Sequence, residues 1–252
     1  MSLRAFKQYL ELLKYSGLTS LVTPFDKIKI NVQKSTSQSD DENVKLPAQI
    51  ICPVDSVPKS DQKYDELGLQ KIREKLQFCS KCPLSKNRLK LVYGEGLQSA
   101  KIMIIGEAPG AEENITGRPF VGEAGKLLTK MLQAININRE QVYITNMVKC
   151  RPPGNRNPLP EEISECMPFL LQQIRIIKPQ VILLFGKVAI TSLLKMNKAI
   201  DIFREEQPFH FEDIPVWLTY HPSALLRNPD LKKAAWVDLQ RFRDFILEKK
   251  II

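Results

Sequence analysis

The 252-residue sequence contains no run of 18 or more apolar residues, so it offers no stretch able to cross a membrane as a helix. It also lacks a secretory leader: MSLRAFKQYLELLKY carries charges throughout and has no apolar core followed by a small-residue cleavage site. These absences point to the cell interior, a cytoplasmic chain with no membrane partner. Cysteine is sparse and odd in number, at positions 52, 79, 82, 150 and 166, which argues against a simple disulfide framework, as does a reducing compartment. Aromatic residues are missing from 31–63, a stretch rich in Ser, Asp, Lys and Pro. That composition reads as a polar linker rather than packed core. No G-x-G-x-x-G follows the first β-branched apolar run, which removes the simplest signature of a dinucleotide cofactor.

What is present is basic. The formal net charge is +9 and the pI is near 9.3, a balance that favours a polyanionic partner such as nucleic acid. Most of the excess lies in residues 65–252, which carry +7, against +2 for residues 1–64. The organisation expected is therefore an N-terminal extension over 1–64 and a globular domain over 65–252. The extension holds a short amphipathic helix over 3–13, with Leu3, Phe6, Leu10 and Leu13 at helical spacing, and then the linker. It shows no clear binding motif; a replication clamp is the partner considered for it. A further helix is expected over 65–78, with Leu69, Ile72 and Leu76 on one face.

From residue 100 four apolar, β-branched runs alternate with helical patterns: AKIMII (100–105), VYITNMV (142–148), QVILLF (180–185) and VWLTY (216–220). Helices are expected over 122–134, 160–177, 186–196 and 231–249. Strand–helix alternation implies an α/β fold, a central parallel four-stranded sheet with helices on both faces. In such sheets ligands bind at the carboxyl ends of the strands. The polar oddities collect there: Gly106 to Gly110 after the first strand, Asn146 and Cys150 at the second, Gly186 after the third, His221 after the fourth. The first of these turns, GEAPG, carries acid where a phosphate cradle would carry none. His221 is one of only two histidines; the other, His210, falls in a stretch expected to be irregular.

Cys79 and Cys82 form a C-x2-C pair, and Cys150 and Cys166 are separated by 15 residues. Four thiolates can hold zinc or an iron–sulfur cluster. Zinc ribbons usually carry two C-x2-C pairs, and the wide second pair here suits a bulkier cluster. Cys52 has no partner at ligand spacing and reads as a bystander.

Three segments, GEAPGAEENITGRPFVGEAG, VYITNMVKCRPPGNRNP and HPSALLRNP, together with the four cysteines in order and spacing, resemble the family 4, iron–sulfur type uracil-DNA glycosylases. The resemblance covers roughly residues 66–250. It implies a DNA-repair enzyme that flips uracil out of single- or double-stranded DNA, hydrolyses its N-glycosidic bond and leaves an abasic site for base excision repair. It also implies that Cys79, Cys82, Cys150 and Cys166 ligate a [4Fe-4S] cluster. By resemblance, Gly106, Glu107 and Ala108 line the uracil pocket, Phe120 stacks on the base, Asn146 reads it and His221 donates to uracil O2 as the base departs. The acid in the first turn is tolerable because the ligand there is a base, with phosphates outside. Ala108 stands where a related branch carries a water-orienting Asp; Glu107 is then the carboxylate left to assist. Glu113 and Asn114 replace the family's commoner Glu-Asp pair, with Glu113 expected to wall off a thymine methyl. Leu225 is expected to wedge into the duplex, and Arg227, Lys149, Arg151 and Arg156 to grip phosphate.

Two other readings stand beside this one. A non-catalytic iron–sulfur or zinc nucleic-acid-binding protein could keep the fold without the chemistry; the presence of Phe120, Asn146 and His221 together favours the enzyme. A redox protein is a third class, with no flavin or dinucleotide motif to support it.

Overall fold

The computed structural model describes residues 68–252. The extension over 1–64, its helix, its linker, Cys52 and the clamp contact all lie outside the described residues. The described chain begins in α1 (Gly68–Gln77), which ends one residue before the expected 78; residues 65–67 lie outside the described residues. There follow β1 (Glu95–Gly96), β2 (Ile102–Gly106), α2 (Ala111–Thr116), α3 (Glu123–Ala134), β3 (Tyr143–Asn146), α4 (Pro160–Ile177), β4 (Val181–Phe185) and α5 (Lys187–Leu194). It closes through α6 (Ile200–Glu206), β5 (Phe209–Phe211), β6 (Ile214–Thr219), α7 (Pro222–Arg227) and α8 (Leu231–Glu248).

The sheet corrects the expectation of four parallel strands: it is mixed and has six, in the order β1-β3-β2-β4-β6-β5. β2 pairs in parallel with β3 and β4, and β4 with β6, while the edge strands β1 and β5 are antiparallel. Both edges are short, of two and three residues, and neither offers the long apolar run by which the inner strands announce themselves. β5 also takes up His210, which lies on an exposed edge strand rather than in irregular chain.

Alternation along the inner strands explains the layers. Ile102 and Ile104 of β2 join one core with Leu127, Leu128 and Met131 of α3 and Trp236, Leu239 and Phe242 of α8. Met103 and Ile105 turn to the other core, with Leu69, Ile72 and Leu76 of α1, Leu170 and Ile174 of α4, and Ile190 of α5. A strand apolar on both sides must be covered on both sides, and helices do this here. From β2 the chain crosses to β3 on one flank, then returns to β4 on the other. The crevice above the ends of β2 and β4 is therefore a topological switch point. Register brings the ends level: Gly106 pairs with Asn146, and Phe185 with Thr219.

Candidate active site and cysteine cavity

The site begins at Gly106, where β2 ends. A Cβ at this position would lie 2.4 Å from Phe120 Cζ and 2.5 Å from Asn146 Oδ1. Only glycine lets the ring and the amide close over the strand end. Asn146 is 1% exposed, and its Oδ1 has no hydrogen-bond partner in the protein. Buried polar atoms are normally paired, and one left unpaired costs roughly 1–3 kcal/mol. That leaves an unoccupied acceptor beside the Phe120 ring.

Phe120 sits at a positive φ of 52°, a strained conformation for a bulky residue. The structure that holds it there is Glu113. This buried carboxylate accepts from Val121 N (2.9 Å) and Gly122 N (3.0 Å) with one oxygen, and from Gly110 N (3.0 Å) with the other. Glu113 thus clamps the first turn to the segment carrying the ring. Its neighbour Asn114 accepts from Leu89 N at 3.0 Å and is likewise buried.

His221 completes the group. Its ring centroid lies 5.6 Å from that of Phe120. Gly186, with φ of +89°, lets β4 run close beneath it: a Cβ there would lie 3.0 Å from His221 Cβ. His221 is also the N-cap of α7, with Nδ1 accepting from Ser223 N at 3.2 Å. Nδ1 also lies 2.8 Å from the Ser223 hydroxyl, and with Nδ1 accepting from the backbone N–H the neutral ring carries its proton on Nε2. Burial first, and then the Arg227 cation, push the imidazole pKa down to about 4, against a smaller opposite pull from Glu113. His221 is therefore a neutral imidazole at neutral pH, with Nε2–H as a donor. Sequence alone left the charge of this group open.

Glu107 follows Gly106 on the same turn. Burial raises its pKa, with Arg227 pulling the other way. Arg227 itself is exposed at the end of α7, where it acts on both Glu107 and His221. Ala108 packs against a small core of Leu84, Val148, Cys150 and Cys166. The pocket turn and the cysteine region therefore touch.

Cys79, Cys82, Cys150 and Cys166 line one small cavity that opens to solvent. Cys79 and Cys82 flank the exit from α1, Cys150 follows β3, and Cys166 projects from α4. All four are free thiols. Burial raises the pKa of Cys82 and Cys150, and that of Cys166 to about 11, although Arg88 opposes the shift at Cys150 and Lys149 at Cys166. The sulfurs ring the cavity rather than closing on one point: among the described residues no three His, Cys, Asp or Glu side chains form a single-ion cage.

Several expected DNA contacts are corrected. Leu225 is 2% exposed, packed in the core with α3 and α8 residues, so it cannot serve as an exposed wedge. The short helix α7 turns that position inward and presents Leu226, 39% exposed, instead. Lys149 is fully buried and cannot reach phosphate. Burial lowers its pKa to about 7, with Cys166 opposing, and its Nζ donates to Thr145 Oγ1, Asn146 O and Gln173 Oε1. Arg156 spends two donors on Glu162, at 2.6 and 2.8 Å, beside the N-terminus of α4, yet stays exposed. Arg151 is half-buried and donates to Asn155. The sequence reading passed over Gln173 and the clamping role of Glu113. Gln173 had a visible signal, a polar residue on the apolar face of α4 between Leu170 and Ile177.

Comparison with known proteins agrees with this geometry. The family model described as the uracil DNA glycosylase superfamily matches residues 93–240. The chain is 44% identical over 183 residues to the type-4 uracil-DNA glycosylase of Pyrobaculum aerophilum, covering 70% of this chain and 93% of that protein. It is 44% identical over 181 residues to the type-4 uracil-DNA glycosylase of Thermotoga maritima, covering 69% and 93%. To that of Sulfurisphaera tokodaii it is 41% identical over 195 residues, covering 73% and 87%.

Proposed function

Since this chain belongs to the uracil-DNA glycosylase superfamily, we propose that the crevice above β2 and β4 receives a uracil flipped out of DNA and cleaves its N-glycosidic bond. The observation that carries this is the unpaired Asn146 Oδ1, buried beside Phe120 and over bare Gly106. An Asn amide both accepts and donates. Its Oδ1 matches uracil N3–H and its Nδ2 matches O4; cytosine presents the reverse pattern at N3 and N4 and leaves both mismatched. Flipping costs a few kcal/mol, and stacking on Phe120 returns ~1–3 kcal/mol.

Cleavage leaves negative charge on the base, spread over O2. The neutral His221 Nε2–H stabilises it there without taking part in proton transfer, an oxyanion-type contribution. Glu107, on the same turn, lends negative charge to an oxocarbenium-like sugar or holds the attacking water. Glu113, fixed by three backbone N–H groups, gives the pocket a rigid wall against a thymine methyl. Outside, Arg227, Arg151 and Arg156 meet phosphates, and Leu226 takes the wedge position in place of Leu225.

The four cysteines fit a [4Fe-4S] cluster: they come from three separate chain segments and line one cavity, and burial disfavours ionisation of Cys82, Cys150 and Cys166 unless a cationic group compensates. When bound, such a cluster supplies structural cross-linking between α1, the end of β3 and α4. A zinc protein of the same fold is the competing reading.

The test is release of free uracil by the full chain from single- and double-stranded oligonucleotides, with the visible absorption of the same preparation. Excision with a brown chromophore agrees with the proposal. A colourless zinc protein that binds DNA and releases no uracil would contradict it.

A further inference from the structure

The base-reading pocket and the cysteine cavity are joined through one side chain. Lys149 is fully buried, and its side-chain nitrogen lies within hydrogen-bond reach of three acceptors. These are Thr145 Oγ1 at 2.6 Å, Asn146 O at 2.7 Å and Gln173 Oε1 at 2.7 Å. The backbone on either side belongs to the two sites. Asn146 lies three residues before it, and Cys150 directly after it. Gln173 stands two turns beyond Cys166 on α4, so the helix that supplies one cysteine also supplies the anchor of the lysine. Gln173 is fixed in turn, donating to Tyr93 O at 2.9 Å and Tyr143 Oη at 3.2 Å. Thr145 Oγ1 also donates to Tyr93 O, at 2.9 Å.

A buried polar nitrogen is tolerated only when it is partnered, and here three polar groups from the end of β3 and from α4 are committed to it. Its tripod fixes the point at which β3 ends. The Asn146 carbonyl is gripped while the Asn146 Oδ1 is left unpaired. A reading amide must be held still without being occupied, and an anchor on its own backbone does that. We infer that Lys149 is a positioning residue for uracil recognition, which ties the backbone of Asn146 to the α4 helix of the cysteine cavity through Gln173.

This inference rests on the assignment of Asn146 as the base reader. The experiment measures the affinity of the full chain, as isolated, for oligonucleotides carrying a non-cleavable 2′-fluoro-deoxyuridine or thymidine at the same position. The variants are Lys149→Met and Gln173→Met, with Thr145→Val as a milder member that removes one acceptor. Iron per chain and unfolding temperature are recorded for each. For Lys149→Met the uracil-over-thymine ratio is expected to fall by roughly 10–100-fold, the range seen when residues supporting a functional group are removed. Affinity for the thymidine oligonucleotide and iron content are expected to stay at wild-type values. Thr145→Val should lose less of the ratio than Lys149→Met. If Lys149→Met is insoluble, Gln173→Met is expected to show the same selective loss. A wild-type ratio in Lys149→Met, or in Gln173→Met where only that variant folds, overturns the inference. So does a ratio that falls only together with iron, since the lysine would then serve the cysteine cavity alone. A wild-type chain that does not discriminate uracil from thymine would instead overturn the reading of the pocket on which the inference stands.

Discussion

The pocket at the strand ends and the cysteine cavity beside it are shaped by the same force with opposite results. In the pocket, burial drives His221 toward its neutral form, which is the form that can donate from Nε2 while Nδ1 caps α7. In the cavity, burial drives Cys82, Cys150 and Cys166 toward their neutral thiols, which are the forms that cannot ligate a metal. The pocket is thus ready in the protein alone. The cavity is ready only under the proposal made above, in which a cationic cluster offsets the burial of its thiols. Desolvation is neither favourable nor unfavourable to function in itself; what matters is whether the working state of the group is charged.

The largest effect expected separates the two regions by metal. Cys166→Ser removes one of the four proposed cluster ligands, and on that proposal the variant should lose its iron and colour. A chain of this size shifts by about 2–4 °C in unfolding temperature per kcal/mol, so the loss of a structural centre should show as a drop well beyond 5 °C. Cys52→Ser should leave both iron content and unfolding temperature unchanged. Iron analysis and thermal unfolding of the two variants side by side decide the point, and bleaching by Cys52→Ser alone would reverse the assignment.

Next in size, Asn146→Asp replaces the Nδ2 donor with an acceptor. Loss of that one hydrogen bond to the base, at about 1–3 kcal/mol, corresponds to roughly 5–150-fold in uracil excision, while DNA affinity stays near normal. Single-turnover excision and binding to undamaged DNA measure these separately, and unchanged excision would remove Asn146 from the site.

A third pair sharpens the contrast between inside and outside within α7. Leu225→Ala should cost about 2–5 kcal/mol of stability, as buried Leu to Ala changes do. Leu226→Ala should leave stability nearly unchanged and slow excision from duplex more than from single strands. Denaturant unfolding and excision on both substrates read this out; a stable Leu225→Ala with a duplex-specific defect would restore the wedge to the residue first expected.

A further effect concerns His221 and the pH dependence of stability. Its folded pKa of about 4 lies below the ordinary value near 6.5. The unfolded chain therefore takes up the proton first, and as pH falls from about 6.5 to 4 the fold loses stability. His221→Asn should remove that part of the slope, measured as the difference between the two proteins in denaturant unfolding across the window.

Much of this was legible in the sequence, because the inner strands are apolar on both faces and the helices between them are periodic. The strand ends could be marked from that pattern, and Gly106, Asn146 and His221, marked there, do converge; Phe120, which lies at no strand end and came only from the family resemblance, joins them. What was hidden follows from physics that sequence spacing does not carry. Edge strands of two and three residues leave no periodic trace. Leu225 and Leu226 are equally apolar, and only the turn of a six-residue helix decides which one faces the core. Lys149 looks like a phosphate ligand in KCRPPGNR until the chain is seen to bend back over the end of β3. The protonation of His221 depends on how deeply neighbouring elements bury it.

The central claim is that a neutral His221 stabilises the departing base. It is tested most directly by single-turnover uracil excision between pH 5 and 8 for wild type and His221→Ala. The account predicts a rate ratio of ~10²–10³, the worth of one oxyanion donor, that is constant across this range because the imidazole titrates only near pH 4. A ratio near one, or a ratio that grows as pH falls through about 6.5, would contradict it.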